Sequence, residues 1–375
     1  MEQLFKTREG HLPRLALLLR NHSFQKHVTR VVVDEAHNIY TAGLPHYSLD
    51  AFRPAWGRLG KLRAILPSSV RWAFLSATLP PHIQSSIEKQ VLKPRYVPIH
   101  VSSNRPNTMY ATHEVVNNID DLCNYECFLA VPFSLAGQPR VLIFVDSKEL
   151  ACRISSHLDS CLPSQYQDRG VVKHYHSKMS SKYLEYTHEA FTTQTGMCRV
   201  LVATSSQSVV RTTSLFSIEL VNCSSNLQGV DFPDVKIVCT VGLPATTVDT
   251  LQRAGRALRN SDKDTLFVIF YEPWAHAISL SEYNEGDTLD PDRPRGHLKS
   301  RAQKRERAPL SSLRLVKGPG CLRSEFASYL GDTSTEGTVS LTAGSGVFNR
   351  DYSLTTVASS LLYYIILLYW QRLWW

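Results

Sequence analysis

The sequence predicts an α/β protein of two parallel-sheet domains in tandem, and three observations lead there. Short apolar, β-branched runs alternate with stretches of helical period from the start of the chain to about residue 275, the pattern of parallel strands joined by crossover helices. The alternation is played out twice, on either side of a proline- and asparagine-bearing joint at Ser102 to Asn107. Beyond about residue 284 the periodicity stops, and a segment rich in charge, proline and arginine follows, Asp287 to Arg307.

The strands expected in order are Val28 to Val33, Trp72 to Leu75, Val141 to Val145, Val200 to Val202, Val235 to Val241 and Leu266 to Phe270. Each is short, apolar and mostly closed by small or polar residues, as a strand buried on both faces requires. Helical period marks Leu15 to Arg20, Ala55 to Ile65, Ile83 to Val91, Ser147 to Leu158, Ser181 to Phe191 and Thr247 to Leu258. The expected division is residues 1–104, 105–284, a basic linker with a small module over 285–330, and a divergent tail over 331–375.

With 375 residues there is enough chain for two or three cores, and the apolar share of 43% is ordinary for a globular protein. A net charge of +8 and a pI near 9.0 fit an anionic partner without demanding one. The eight cysteines are scattered with no CxxC pair, and the N-terminus shows no secretory pattern, so a reducing compartment is expected. Val357 to Trp370 is apolar but shorter than the roughly 20 residues of a spanning helix, and no membrane partner is expected.

Asp34-Glu35-Ala36-His37 directly follows the strand Val28 to Val33, which sets two carboxylates at the carboxyl end of a parallel strand, where α/β sheets bind ligands. One carboxylate can hold Mg²⁺ through water while the next orients or deprotonates an attacking water. Ser76-Ala77-Thr78 stands at the end of the following strand, its hydroxyls in reach of the acidic residues. Gln252-Arg253-Ala254-Gly255-Arg256-Ala257-Leu258-Arg259 is expected on one helix, with Arg256 and Arg259 three apart on the same face and Arg253 pointing elsewhere. Guanidinium groups beside a γ-phosphate stabilise transition-state charge. Each motif taken singly has a plain alternative: an acidic turn, a polar strand end, a solvated basic helix.

In this order the motifs resemble those of the superfamily 2 helicases, and of the RecQ-like group in particular. Val31 to His37 resembles motif II, Phe74 to Thr78 motif III, and Gln252 to Arg259 motif VI. Val141 to Ser147 resembles motif IV, and His174-Tyr175-His176-Ser177-Lys178-Met179 the family's Tyr-His-Ala-Gly-Leu element. Val202-Ala203-Thr204 with Gly229 to Val235 resembles the two halves of motif V, and Phe52-Arg53-Pro54 the end of an aromatic loop that couples DNA contact to hydrolysis. The resemblance implies tandem RecA-like domains, the first incomplete, followed by a degenerate small C-terminal module, and ATP-dependent 3′-to-5′ separation of DNA strands, with ATP and Mg²⁺ as cofactors. By it Asp34, Glu35, His37, Gln252, Arg256 and Arg259 carry catalysis, with Asp34 holding Mg²⁺ through water. Ser76, Thr78, Gly229 and Asp231 couple hydrolysis to movement, and Phe52, Arg53, His176 and Thr204 contact nucleic acid. The partner implied is DNA, as single strands and duplex junctions, ahead of RNA, and the place is the nucleus. The cluster Lys299, Arg301, Lys304, Arg305 and Arg307 reads as an import signal or as a solvated linker.

The sequence also departs from the family. It contains no G-x-x-x-x-G-K-[ST] to cradle phosphates. Met1-Glu2-Gln3-Leu4 resembles the tail of a Thr-Pro-Glu segment, so the family's first motifs are expected upstream of it. The two halves of motif V are held apart by Ser205 to Gln228, and the added residues near Ser208 to Asn226 carry no motif. The aromatic loop reads Ala42-Gly43-Leu44-Pro45-His46-Tyr47-Ser48-Leu49-Asp50 in place of the usual Trp-Gly-His-Asp. Tyr40, His46, Tyr47, Phe52 and Trp56 are either a stacking surface for bases or ordinary packing. Cys321-Leu322-Arg323 resembles the start of a four-cysteine zinc module whose other ligands are missing, so no structural zinc is expected. The competing function is a non-catalytic remnant that still grips nucleic acid.

Overall fold

The computed structural model describes residues 10, 12–204, 234–257, 264–295, 303–318 and 320–333. Gly229, Asp231, Arg259, Lys299, Arg301, the added stretch within motif V and the apolar run near the C-terminus lie outside the described residues.

The first layer holds two parallel strands, β1 (Arg30–Val33) and β2 (Arg71–Phe74), in the register Val33 opposite Phe74. Short helices surround them: α1 (Arg14–Leu18), α2 (His22–Gln25), α3 (Asn38–Thr41), α4 (Pro54–Gly57), α5 (Leu59–Ile65) and α6 (Pro81–Gln90). Their core gathers Val33, Ile39, Trp56, Leu59, Leu62, Ile83 and Ile87. The helix expected over Ala55 to Ile65 is broken at Arg58, whose backbone leaves the helical region at φ −99° and ψ 7°. Val32 and Leu75 remain about half exposed, as strands do where a sheet face has little against it.

The second sheet has six strands, all parallel. They are β3 (Thr108–Glu114), β4 (Arg140–Val145), β5 (Val172–Tyr175), β6 (Val200–Thr204), β7 (Val235–Val241) and β8 (Thr265–Tyr271), in the spatial order β3-β8-β7-β4-β6-β5. β4, β6 and β8 are buried along their whole lengths. Two apolar clusters cover the faces, one built on Leu142, Phe144, Phe191 and Phe267, the other on Ile143, Val145, Ile154 and Val268. All strands expected from the sequence are present, and β3 and β5 were not expected. Both are edge strands, where cover is partial and residues such as Lys173, His174 and Thr112 interrupt the apolar run.

The crossover helices begin where side chains supply the hydrogen bonds that a first turn lacks. Ser147 Oγ accepts from Leu150 N at the start of α7 (Lys148–Ser160), Ser180 Oγ from Tyr183 N at α8 (Ser181–Thr192), and Thr246 Oγ1 from Asp249 N at α9 (Thr247–Ala254). α9 stops at Ala254, with Gly255 as its cap. Arg256 therefore sits in the turn after the helix.

Among the described residues, five further α-helices follow β8: α10 (Trp274–Ala277), α11 (Glu285–Leu289), α12 (Lys304–Arg307), α13 (Leu310–Lys317) and α14 (Leu322–Leu330). α13 and α14 pack Leu313, Leu315 and Phe326 onto the second sheet's core. The joint between the sheets is tied down on both sides. Arg105 donates to the carbonyls of Ala254 and Ala257 at the end of α9 and just past it, and Arg323 donates to Asn104 Oδ1, Arg105 O and Thr108 O. Among the described residues no helix is long and apolar enough to cross a membrane.

Candidate functional site at the junction of the two sheets

The acidic motif lies directly past β1. Ala36 N donates to Leu75 O at 2.8 Å, which extends the pairing of β1 with β2 and brings the acidic residues alongside Ser76 to Thr78. Asp34 is exposed, and its Oδ1 accepts from Glu35 N at 2.8 Å. Glu35 adopts φ +50°, a left-handed conformation that costs a non-glycine residue of order 1 kcal/mol and is concentrated at functional sites.

From Glu35 a chain of polar contacts runs to the second domain. Glu35 Oε2 lies 3.3 Å from His37 Nδ1, and His37 Nδ1 lies 3.0 Å from Ser76 Oγ. Ser76 Oγ donates to Thr78 O at 3.0 Å and accepts from Thr78 N at 3.2 Å. With its proton given to Thr78 O, the Ser76 hydroxyl is left to accept, so Nδ1 is the protonated nitrogen of His37. Burial holds His37 down at about 4, against a weaker opposing pull from Asp34, so the ring is neutral at pH 7. The last link crosses between the sheets: Gln252 Nε2, on α9, donates to Thr78 Oγ1 at 2.8 Å, and both residues are buried.

The structure thus joins Glu35, His37, Ser76, Thr78 and Gln252 in one network. Arg256 is buried just beyond Gln252. Arg253 turns the other way, its Nη2 3.2 Å from Asp146 Oδ1 and its guanidinium over the Phe144 ring. Thr204 is buried at the carboxyl end of β6, and His176 is buried just past β5. Both stand at the carboxyl ends of neighbouring parallel strands.

The aromatic segment resolves into two groups. Trp56 is only 2% exposed and is part of the first core, so it offers no face to a base. Tyr40 and Tyr47 both donate to Asp290 Oδ2, at 3.2 and 2.9 Å, and His46 lies against the Tyr40 ring with centroids 4.0 Å apart. Burial above all lifts both phenols, Tyr40 to about 12, which keeps them as hydrogen-bond donors. Only Phe52, 61% exposed and capped by the Arg53 guanidinium at 5.5 Å, presents a ring to solvent. The loop is folded tightly at its base. A Cβ on Gly43 would meet Gly57 N at 2.3 Å, and Arg53 N donates to Ala42 O.

A second carboxylate centre, which the sequence did not reveal, holds the segments together. Asp292 is buried and accepts from Thr247 N at 3.1 Å, from Ser311 Oγ at 2.6 Å and from the Tyr329 hydroxyl, with His82 Nε2 at 3.5 Å. Burial works against its charge, but the donors from His82, Ser311, Tyr329 and Thr247 outweigh it and hold Asp292 below the ordinary carboxylate value. One aspartate in a charged, proline-rich run carries no signal in sequence; its partners come from four distant elements.

With this geometry in view, residues 119–261 match the helicase conserved C-terminal domain. The parallel six-stranded sheet matches the RecA-like fold of that domain. The chain is 26% identical over 249 residues to DEAD-box ATP-dependent RNA helicase 5 of Oryza sativa subsp. japonica, a match covering 65% of this chain and 40% of that protein. Among solved structures it is similar to Mycobacterium smegmatis helicase Lhr bound to ssDNA and AMP-PNP, with 21% identity, a TM-score of 0.46, and coverage of 68% of this chain and 30% of that one. It is also similar to S. cerevisiae Dbp5 bound to RNA and ADP BeF3, with 18% identity, a TM-score of 0.44, and coverage of 65% and 53%. The chain spans 40% of the curated relative and about half or less of these solved chains.

Proposed function

We propose that this chain supplies the acidic motif, the Ser-Ala-Thr motif and the arginine-bearing second domain of a RecQ-like helicase that couples ATP hydrolysis to 3′-to-5′ separation of DNA strands. The observation that carries the proposal is the network from Glu35 through His37, Ser76 and Thr78 to Gln252. It ties a carboxylate at a strand end to the segment that bears Arg256, which is the coupling a domain-closing nucleotide motor needs.

The donor set fits a nucleotide with Mg²⁺. Asp34 and Glu35 offer hard carboxylate oxygens at the carboxyl edge of a parallel sheet. Asp34 would hold the metal through water and Glu35 would orient the attacking water. The bound ion would neutralise charge building on the transferring phosphoryl group. Neutral His37 donates its Nδ1 proton to Ser76 Oγ, which fixes the ring 3.3 Å from the Glu35 carboxylate. The DNA assignment rests on Phe52-Arg53-Pro54 and on the helix opened by Cys321, which resemble the RecQ-like group; RNA is the outcome that the DEAD-box relative would favour.

A second reading, nucleic-acid binding without turnover, is favoured by one specific observation: the 375 residues contain no G-x-x-x-x-G-K-[ST]. Backbone donors around the phosphates are a large part of the electrostatic preorganisation that such chemistry relies on. ATP hydrolysis by the purified chain, with and without single-stranded DNA or RNA and beside Glu35→Gln, separates the readings. Stimulated turnover that vanishes in the variant supports the motor. Binding with no turnover supports the second reading, and neither binding nor turnover overturns both.

A further inference from the structure

Outside this network, three soft or borderline metal ligands converge at the edge of the second sheet. Cys152 lies on α7, His174 on β5 and His176 just after it, so the two imidazoles project from the same face of one extended segment. One ligand atom from each lies within 4.8 Å of the other two. The rings of His174 and His176 are stacked, with centroids 5.4 Å apart and 18° between planes, and Cys152 Sγ is 3.5 Å from His176 Nε2. Metal–sulfur and metal–nitrogen bonds of zinc length, set at a tetrahedral angle, separate the two donors by about 3.6 Å. The Cys152 to His176 pair already has that spacing, and the His174 donor lies within 4.8 Å of both.

We propose that Cys152, His174 and His176 form a binding site for a single Zn²⁺, with water as the fourth ligand. Thiolate and imidazole donors favour Zn²⁺ over Mg²⁺ or Ca²⁺, and three protein ligands with an open position make an accessible rather than a closed structural site. Lys148 and Lys178 lie near His176, and Lys173 near His174. The same lysines oppose a bare cation, and the thiolate offsets part of their charge. This site is distinct from the carboxylate site of β1, and it is distinct from the four-cysteine module that Cys321 resembles.

A second cluster, Cys123 with Glu126 and His157, is more exposed and serves as the internal control, because Glu126 and His157 already satisfy each other at 3.0 Å. Co²⁺ replaces Zn²⁺ as a visible probe: one thiolate ligand gives a near-ultraviolet charge-transfer band, and tetrahedral geometry gives strong visible bands. The expected result is saturation at one Co²⁺ per chain, displaced by Zn²⁺, unchanged in Cys123→Ser and lost in Cys152→Ser and His174→Ala. A measurement on the unaltered chain guards against misfolded variants: Zn²⁺ slows alkylation of Cys152, read by peptide mass, and leaves Cys123 and Cys161 unaffected. Absence of the band with excess Co²⁺, its survival in Cys152→Ser, its loss in Cys123→Ser, or Cys152 alkylation indifferent to Zn²⁺ would each overturn the site.

Discussion

Replacing Thr78 by valine keeps the shape of the side chain and removes the acceptor for Gln252 Nε2, the one hydrogen bond described between the Ser-Ala-Thr motif and α9. Gln252 and Thr78 are 8% and 4% exposed, so water cannot readily replace the lost partner. An abandoned buried donor costs about 1–3 kcal/mol, or about 5- to 150-fold in the unfolding equilibrium. The measurement is urea unfolding of Thr78→Val, Gln252→Leu and the double variant. Each single change is expected to lower stability within that range, and the double change to cost clearly less than their sum, because it leaves no orphaned donor. Losses that add to within about 0.5 kcal/mol would show that the two side chains act independently and would refute the coupling between the sheets.

Acid should weaken the fold in two stages. His37 takes up its proton only near 4 in the folded chain but near its ordinary value of 6.5 when unfolded, so stability is full above that value and falls by up to about 3 kcal/mol as pH drops from 6.5 towards 4. Asp292, held below the usual carboxylate value, adds stability that is lost as pH falls further; unfolding followed from pH 8 to pH 3 in His37→Gln should lack the first stage only. Trp56→Ala opens a cavity in the first core and should cost about 3–5 kcal/mol in denaturant unfolding. Phe52→Ala should leave stability within about 0.5 kcal/mol while weakening single-stranded DNA binding by about 1–3 kcal/mol, measured by fluorescence anisotropy.

The central strands were legible because they are buried on both faces: Val141 to Val145 and Leu266 to Phe270 read as unbroken apolar runs and are fully covered in the sheet. The edge strands Thr108–Glu114 and Val172–Tyr175 were not, since a strand with one neighbour tolerates threonine, lysine and histidine. Within the site, spacing along the chain placed Asp34 to His37 and Ser76 to Thr78 at adjacent strand ends, because parallel pairing aligns those ends. The bond from Gln252 to Thr78 spans the two sheets and was not foreseen: the resemblance gives Thr78 a coupling role but no partner on α9. Gly255 ends α9 earlier than its periodicity suggests, because the preceding Gln252-Arg253-Ala254 carries no stop signal and the cap lies inside the motif. The aromatic residues divided on burial: Trp56 went to the core, Tyr40 and Tyr47 to Asp290, and Phe52 stayed outside. No local pattern separates those fates, since each depends on an element distant in sequence.

The most direct test of a nucleic-acid motor is the salt dependence of binding. Anisotropy of a labelled single-stranded DNA, and of an RNA of the same sequence, is titrated with the purified chain across a salt series. The expected result is saturable binding at low salt that weakens linearly in log–log form as phosphate contacts exchange for counterions, with DNA bound more tightly than RNA. Binding of neither strand at the lowest salt would contradict the assignment, and tighter binding of RNA would contradict its RecQ-like half.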